Sequence, residues 1–514
     1  MNSPRRPMPA LLLCGLVLLV MNAPAHAGSA TWNLNPTNGD WNTAANWTPA
    51  TVPNGPGDIA TFAASNQGAI SISAGTEVSG IVFAPGAAAF TITASTRAGL
   101  TFSGAGITNN SGVTQNFVTT AFEGDISLGV ITFSGRSSAG SGTVFTNHDG
   151  PRVVFDVGTT VFRDQSSAGN ATFINLGGTA TGRFGGATNF FGGHGDHGTI
   201  IVNGAEVAGA FGGSVYVGDG SSVDNATLMV NGDPGLEGGS VLFDSGSRGG
   251  SPAVELLGSG RMDISLLAFD PKLTVGSIEG NGTIILGDST LNVGSNDRST
   301  TFDGLITVGD SSDGFGGNLE KSGLGALNLT QANTYTDPNG ATVVTSGVLR
   351  VANKTGSATG NGPVRVNGGT LSGSGAIEGM VIIGISTGTG AFLAPSGESH
   401  RPASLTIQNA LRFKADATYS YRVNTKKTKA DKVVANGVTI ESGAQFSFGV
   451  VGNRNKKLPT GQIFVAINNS AATPTRGTFA NLPDGSVFTV GNNTFQADYE
   501  GGDDGNDLTL TVVP

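Results

Sequence analysis

Asn147, Asn175, Asn203 and Asn231 recur at intervals of 28 residues, each closing a short apolar run: TVFTN, ATFIN, TIIVN and TLMVN. Between them runs a second column, Phe162, Phe190, Val217 and Phe243, spaced by 28, 27 and 26 residues. Gly185-Gly186, Gly212-Gly213 and Gly238-Gly239 precede its last three members. Two strand segments and two turns in every 26–28 residues describe one coil of a stacked β-solenoid. Stacking places equivalent residues of successive coils ~4.8 Å apart. The Phe/Val column is therefore expected to point inward as one apolar stack. The Asn column is expected at a bend, as a single ladder of amides bonded up and down the stack.

Composition agrees with that expectation. The chain has 514 residues, well beyond the ~250–300 at which one compact core stops growing. A solenoid escapes this limit because each coil packs only on its neighbours. Glycine is abundant, at 82 residues, and charged residues make up only 12%. Sparse charge with alternating Val, Ile, Leu and Phe is unlike disorder, which needs high charge and little apolar surface. No long window after residue 27 has helical periodicity.

Residues 318–352, NLEKSGLGALNLTQANTYTDPNGATVVTSGVLRVA, alternate apolar with polar residues between Gly, Asn and Pro breaks. Leu319, Leu327, Leu329, Val343, Val348, Leu349 and Val351 supply the apolar positions. The stretch resembles the autotransporter-associated β-strand repeat (passenger-associated transport repeat). The matching residues are Leu319, Lys321, Gly323, Gly325, Leu327, Leu329, Asn333, Thr334, Tyr335, Thr336, Val343, Gly347, Leu349 and Val351. The match is specific in its Asn-Thr-Tyr-Thr core and departs at Asp337-Pro338-Asn339, where the family usually has Gly-Gly. Residues 353–379 and 394–413 also look like segments that follow this repeat in the family. The resemblance implies an exported β-helix. In autotransporters the repeat sits upstream of an outer-membrane barrel, whose ~10-residue alternating segments are not found here. The chain is therefore expected to act without a barrel of its own, alone or beside a separate barrel partner.

Residues 1–27 read as a secretory signal: Arg5 and Arg6, the apolar run Leu11 to Val20, and the cleavage motif Ala25-His26-Ala27. The run is too short for the ~20 residues that cross a bilayer, and no second long apolar segment follows. Cleavage removes two arginines, no acid and the only cysteine, Cys14. The mature chain would keep 25 basic and 37 acidic residues, a net charge of −12, and no disulfide or thiol nucleophile. An acidic chain without a basic stripe is not expected to bind nucleic acid. Residues 28–65, with Trp32, Trp41 and Trp47, are expected to cap the open first coil; a sugar-stacking patch is the alternative. Residues 66–405 would form the solenoid. Residues 406–514 would add C-terminal coils and closing strands near 463–467, 486–490, 495–499 and 508–512, shielding the last edge.

Several clusters invite chemistry. His194-Gly195-Asp196-His197 could offer three metal ligands, but on a Gly loop with no fourth, so a solvated turn is expected. Gly501-Gly502-Asp503-Asp504-Gly505-Asn506-Asp507 resembles one calcium nonapeptide, whereas calcium β-rolls need repeated copies; a turn is expected. Asp164 and Asp219 would sit two coils apart, near ~10 Å by strand spacing, without a supporting Arg or His. Lys426, Lys427, Lys429 and Lys432, with Arg454, Lys456 and Lys457, are the only basic concentration, read as solvated charges beside exposed strands, with anionic glycan or lipopolysaccharide binding as the alternative. No triad or phosphate loop can be nominated.

The sequence thus predicts an all-β, single-stranded right-handed parallel β-helix with an N-terminal cap and closing strands. It predicts a secreted, cell-surface or periplasmic, adhesin-like structural protein that is not an enzyme. No catalytic, cofactor-binding or metal-binding residue is assigned, no cofactor is expected, and extracellular glycans or cell-surface components are the expected partners. A glycan-active β-helix enzyme and a secretion-assisting module are the alternatives.

Overall fold

Strand alternation decides the architecture. In run after run, residues alternate buried and half-exposed, as in Thr199–Val202, Thr227–Val230, Ala253–Leu256 and Ala326–Leu329. One face of each strand then lines an interior and the other faces solvent. The computed structural model describes residues 28–95, 98–121, 129–151, 157–218, 220–267, 271–309, 316–335, 340–388, 390–399 and 401–514. The proposed signal segment 1–27 lies outside them. The fold is a β-solenoid of about 15 turns. Among the described residues its sole helical piece is a three-residue 3-10 turn at Ala44–Asn46.

The first wall is a 13-stranded sheet from Trp47–Thr48 and Ala30–Trp32 to Leu305–Thr307, parallel apart from its first pair. The second wall runs almost the length of the molecule, in parallel pairing from Ala69–Ile72 through Ser141–Asn147 and Ala326–Leu329 to Gln445–Val451. From residue 272 the cross-section changes. An 8-stranded wall opens at Lys272–Val275 and continues to Val438–Ile440. A 7-stranded sheet begins at Ala376–Ile377 and ends in antiparallel strands Ile463–Asn469, Asp507–Val513, Asn493–Gly501 and Val487–Val490.

The expected aromatic column is present. Phe162, Phe190, Val217 and Phe243 are in register and fully buried. The stack extends backward through Phe133 to Phe102, with ring centroids 4.7 to 5.0 Å apart. Phe117, Phe145 and Phe173 form a parallel stack from the second wall, at 4.8 and 4.9 Å. The two stacks meet edge to face, as at Phe162–Phe173 (5.4 Å, 84°), the geometry that ring quadrupoles favour. At the N-terminal end Trp32, Trp41 and Trp47 are all buried and pack on Phe62 of the first coil, with Trp41 and Trp47 4.9 Å apart. Their faces are used in packing, and no exposed tryptophan patch exists for sugars.

The Asn column is not one ladder. Asn147 pairs with Asn175, but Asn175 stands opposite Val202. Arg163 to Ser167 spans one residue more than the equivalent Phe191 to His194, because the turn through Gly192-Gly193 is shorter. The next strand therefore pairs at an offset of 27 rather than 28, and Asn203 and Asn231 fall just beyond their strands. Asn231 Nδ2 still donates to Asn203 Oδ1 (3.1 Å), so two short ladders replace the long one. A smaller correction concerns the 342–344 strand: Val344, not Val343, faces the interior, and Val348 is half-exposed.

Candidate functional site

The residues of the 318–352 segment build coil-to-coil locks. Lys321 is buried, and its Nζ donates to the carbonyls of Ser322, Gly323 (3.2 Å) and Ser346 (3.5 Å). Gly323 and Gly347 have φ of 66° and 67°, left-handed values that turn their backbones around the ammonium. A Cβ on Gly347 would lie 2.4 Å from the Gly323 carbonyl oxygen and 2.8 Å from Lys321 Nζ. Burial pulls the lysine down to about 8, against the opposing pull of Asp297. Asn333 receives the Ile306 N–H (2.7 Å) and donates to the Ala358 carbonyl (2.6 Å), so one amide joins three coils. Tyr335 is buried with its hydroxyl 2.8 Å from Thr342 Oγ1, and burial raises its phenol above the usual range. Thr336 and the departure from the repeat at Asp337-Pro338-Asn339 lie outside the described residues.

His194-Gly195-Asp196-His197 forms one turn in a stacked column. Ser138, Ser167, His194, Ser222 and Arg248 are joined by successive parallel bridges. Two residues after each comes a left-handed position: Gly140, Gly169, Asp196, Asp224 and Gly250. Asp196 accepts the Ser167 hydroxyl from the coil before, and His194 Nδ1 lies 3.3 Å from Asp224 of the coil after. Each acid thus ties neighbouring turns together, and His197 is exposed. Among the described residues, no group of three or more His, Cys, Asp or Glu could hold a metal ion.

The other acids also serve turns. Asp164 has a φ of 60° and accepts the Gly135 N–H of the preceding coil (3.0 Å). Its proposed companion Asp219 lies outside the described residues. Gly501 and Asp507 are paired across an antiparallel hairpin, and Asp507 accepts the Asn469 N–H (2.8 Å). Burial raises the Asp507 carboxyl, and Asp504 adds to the rise, against the bonds from Asn469 and Asn468.

The basic residues do converge. Lys426 and Lys427, in a turn, and Lys429, which opens the strand Lys429–Ala430, lie beside Arg454, Lys456 and Lys457, and all six are exposed. Thr425 Oγ1 donates to the Asn453 carbonyl (2.7 Å) and Lys456 Nζ to the Lys426 carbonyl (3.2 Å), fixing one turn on the next. Lys432 stands apart, on the strand Lys432–Ala435.

The sequence reading missed a groove of about 440 Å³ on the outer face of the second wall, lined among others by Val348, Arg350, Phe392, Glu398 and Arg422. Val348, Thr370 and Phe392 are neighbours on successive strands of its floor. One flank is the 394–399 turn, anchored by fully buried Asp431, which accepts from Ser396 Oγ (2.8 Å), Ala403 N (2.9 Å) and Arg422 N (3.2 Å). Burial lifts the Asp431 carboxyl despite these bonds. Of the two carboxylates, only Glu398 lines the groove. An acidic residue between Lys429-Ala430 and Lys432-Val433 was the available signal.

No family model matches the chain. A stretch of 214 residues is 29% identical to the Adhesin BmaC autotransporter of Brucella suis biovar 1 (strain 1330), covering 41% of this chain. The chain spans only 6% of that protein's length. This is a weak similarity to an adhesin autotransporter, and the β-solenoid is compatible with a passenger-like architecture. No described helix is long and apolar enough to cross a membrane.

Proposed function

We propose that this chain is an exported, non-enzymatic, adhesin-like protein of the cell surface or surroundings. Its 318–352 segment is an autotransporter-associated repeat, and residues 1–27 direct export. The observation that carries this reading is the local identity with an adhesin autotransporter on a continuous solenoid. Long parallel walls offer many equivalent outward rows, suited to weak contacts that add up through multivalency. The partners are extracellular glycans or cell-surface components. Fractionation of the native host tests the reading: mass spectrometry should find the chain in the surface or supernatant fraction, beginning after residue 27. Deletion should reduce attachment of cells to a glycan-coated surface. Cytoplasmic recovery of the intact chain, or unchanged attachment, refutes it.

One observation favours a glycan-active enzyme as second reading: the groove that places Glu398 with Arg350 and Arg422. Most glycosidases need two carboxylates, and Asp431 spends its oxygens on the loop. Release of oligosaccharide from a polysaccharide panel, lost in Glu398→Gln, would establish the enzyme.

A further inference from the structure

Between the second wall and the first, three successive coils carry loops spanning residues 176–186, 203–213 and 231–239, ending Phe-Gly-Gly, Phe-Gly-Gly and Glu-Gly-Gly. The glycines are there because backbones meet closely. A Cβ on Gly212 would lie 2.2 Å from the Gly238 carbonyl oxygen, and one on Gly238 2.0 Å from that of Ser259. The residue before each glycine pair is thereby held in a column. Phe184 and Phe211 stack with centroids 4.2 Å apart and planes within 3°. The third position of the column is Glu237, so the aromatic stack stops at Phe211, which is 41% exposed.

Beside this stack lies a slot of about 180 Å³. Ser214, Ser240 and Arg261, in register on successive strands, form its floor with Gly185, Gly212 and Gly238. The hydroxyls of Ser214 and Ser240 make no hydrogen bond with any described residue. Glu237 Oε1 and Arg261 Nη2 are 3.4 Å apart at its end, both half-exposed. An ion pair so exposed contributes little to folding and can turn toward a ligand.

We infer that this slot is a subsite for a neutral hexopyranose ring of an extracellular glycan. The inference rests on the surface-protein reading and adds a place and a chemistry to it. The electron-rich face of an aromatic ring attracts the slightly positive C–H groups along one face of a pyranose. Glu237 accepts from sugar hydroxyls, Arg261 donates to them, and the serines do either. An apolar platform with a few converging polar groups is the usual make-up of a small-ligand site. The charges of Glu237 and Arg261 cancel, which favours a neutral sugar over a uronate or a phosphate.

Saturation-transfer NMR on the purified protein, with cellobiose and lactose as probes, tests the assignment. Transfer is expected to be strongest at the axial C–H protons of one ring. Phe211→Ala should abolish it and Arg261→Ala should weaken binding at least tenfold. Phe392→Ala, in the larger groove, should leave it unchanged, with circular dichroism confirming the fold of each variant. Absence of transfer to either disaccharide, transfer surviving Phe211→Ala, or transfer to adenosine in place of the sugars would overturn the assignment. None of these results bears on export or cell attachment, which the fractionation and attachment assays report separately.

Discussion

Asn147 and Asn203 are equivalent in the sequence period and not in the structure, and this difference can be measured. Asn147 is fully buried. Its Oδ1 accepts from Thr119 Oγ1 (2.7 Å) and Thr160 Oγ1 (2.9 Å), and its Nδ2 donates to Asn175 Oδ1 (2.8 Å) and Thr188 Oγ1 (3.2 Å). Asn147→Ala removes four bonds and strands two buried hydroxyl donors. Each unsatisfied group costs about 1–3 kcal/mol, and rotation toward a local carbonyl recovers part of it. The expected loss is ~2–4 kcal/mol in the coils that contain Ser141–Asn147 and Asn170–Asn175. Asn203 is half-exposed and accepts one side-chain bond, from Asn231. Asn203→Ala should cost no more than ~1 kcal/mol. A solenoid unfolds in sections, so a single global midpoint is the wrong readout. Hydrogen exchange with mass spectrometry reads the local change: amides of the two Asn147 coils should exchange roughly 30-fold to several-hundred-fold faster, at 1.4 kcal/mol per decade. Coils beyond residue 300 should be unaffected. Equal effects of the two substitutions would refute the reasoning, because they would restore the single ladder that the period alone suggests.

Other outcomes follow from the same geometry. Phe162→Ala, which removes a ring stacked at 5.0 Å on both Phe133 and Phe190, should cost about 3–5 kcal/mol locally by hydrogen exchange. Lys321 in the folded chain loses its proton near 8, below its ordinary 10.5, so the unfolded chain binds more protons between those values and stability rises with pH. Urea unfolding followed locally, by pulse proteolysis within the coils around 318–352, should therefore gain roughly 1.5 kcal/mol from pH 8 to 9.5, and Lys321→Met should flatten that rise. The window stops short of pH 10, above which the buried tyrosines, held above their usual range, lose their own contribution. Zinc added to the chelator-treated protein should show no stoichiometric uptake by calorimetry, and His194→Ala with His197→Ala should leave that result unchanged. Stoichiometric, histidine-dependent uptake would mean that the turn rearranges into a site.

The sequence was most informative where spacing and side-chain type agreed. The Phe162 column could be read because every member is large, apolar and separated by nearly a whole coil. The Asn column carried the same spacing but misled, because a shortened turn at Gly192-Gly193 slid the pairing by one residue and left Asn203 just past the end of its strand. Spacing counts residues and cannot tell which of two adjacent elements absorbed the change. The repeat resemblance picked out Lys321, Asn333 and Tyr335 without disclosing their work: Lys321 and Asn333 reach carbonyls and an N–H of coils some twenty-odd residues away, and Tyr335 reaches the hydroxyl of Thr342. The glycine pairs drew attention to themselves as turns, and the Phe184–Phe211 stack beside them went unread. A two-member column that ends in Glu237 has too few repeats to stand out. Asp431 shows in the sequence only as a lone acid among basic and apolar neighbours, and its donors Ser396, Ala403 and Arg422 do not show there.

Parallel stacking in a defined register underlies everything above, and paired cysteines test it directly. Ile174 and Ile201 are directly opposed, outward-facing neighbours. Such neighbours stand ~4.8 Å apart, within the Cα range of a disulfide. With Cys14 in the 1–27 segment as the only native cysteine, Ile174→Cys with Ile201→Cys should oxidise rapidly to an intramolecular disulfide. Ile174→Cys with Val202→Cys, at the 28-residue period, should remain reduced, because Val202 points into the core. A disulfide in the second pair and none in the first would contradict the stacking register, and disulfides in neither would contradict the solenoid.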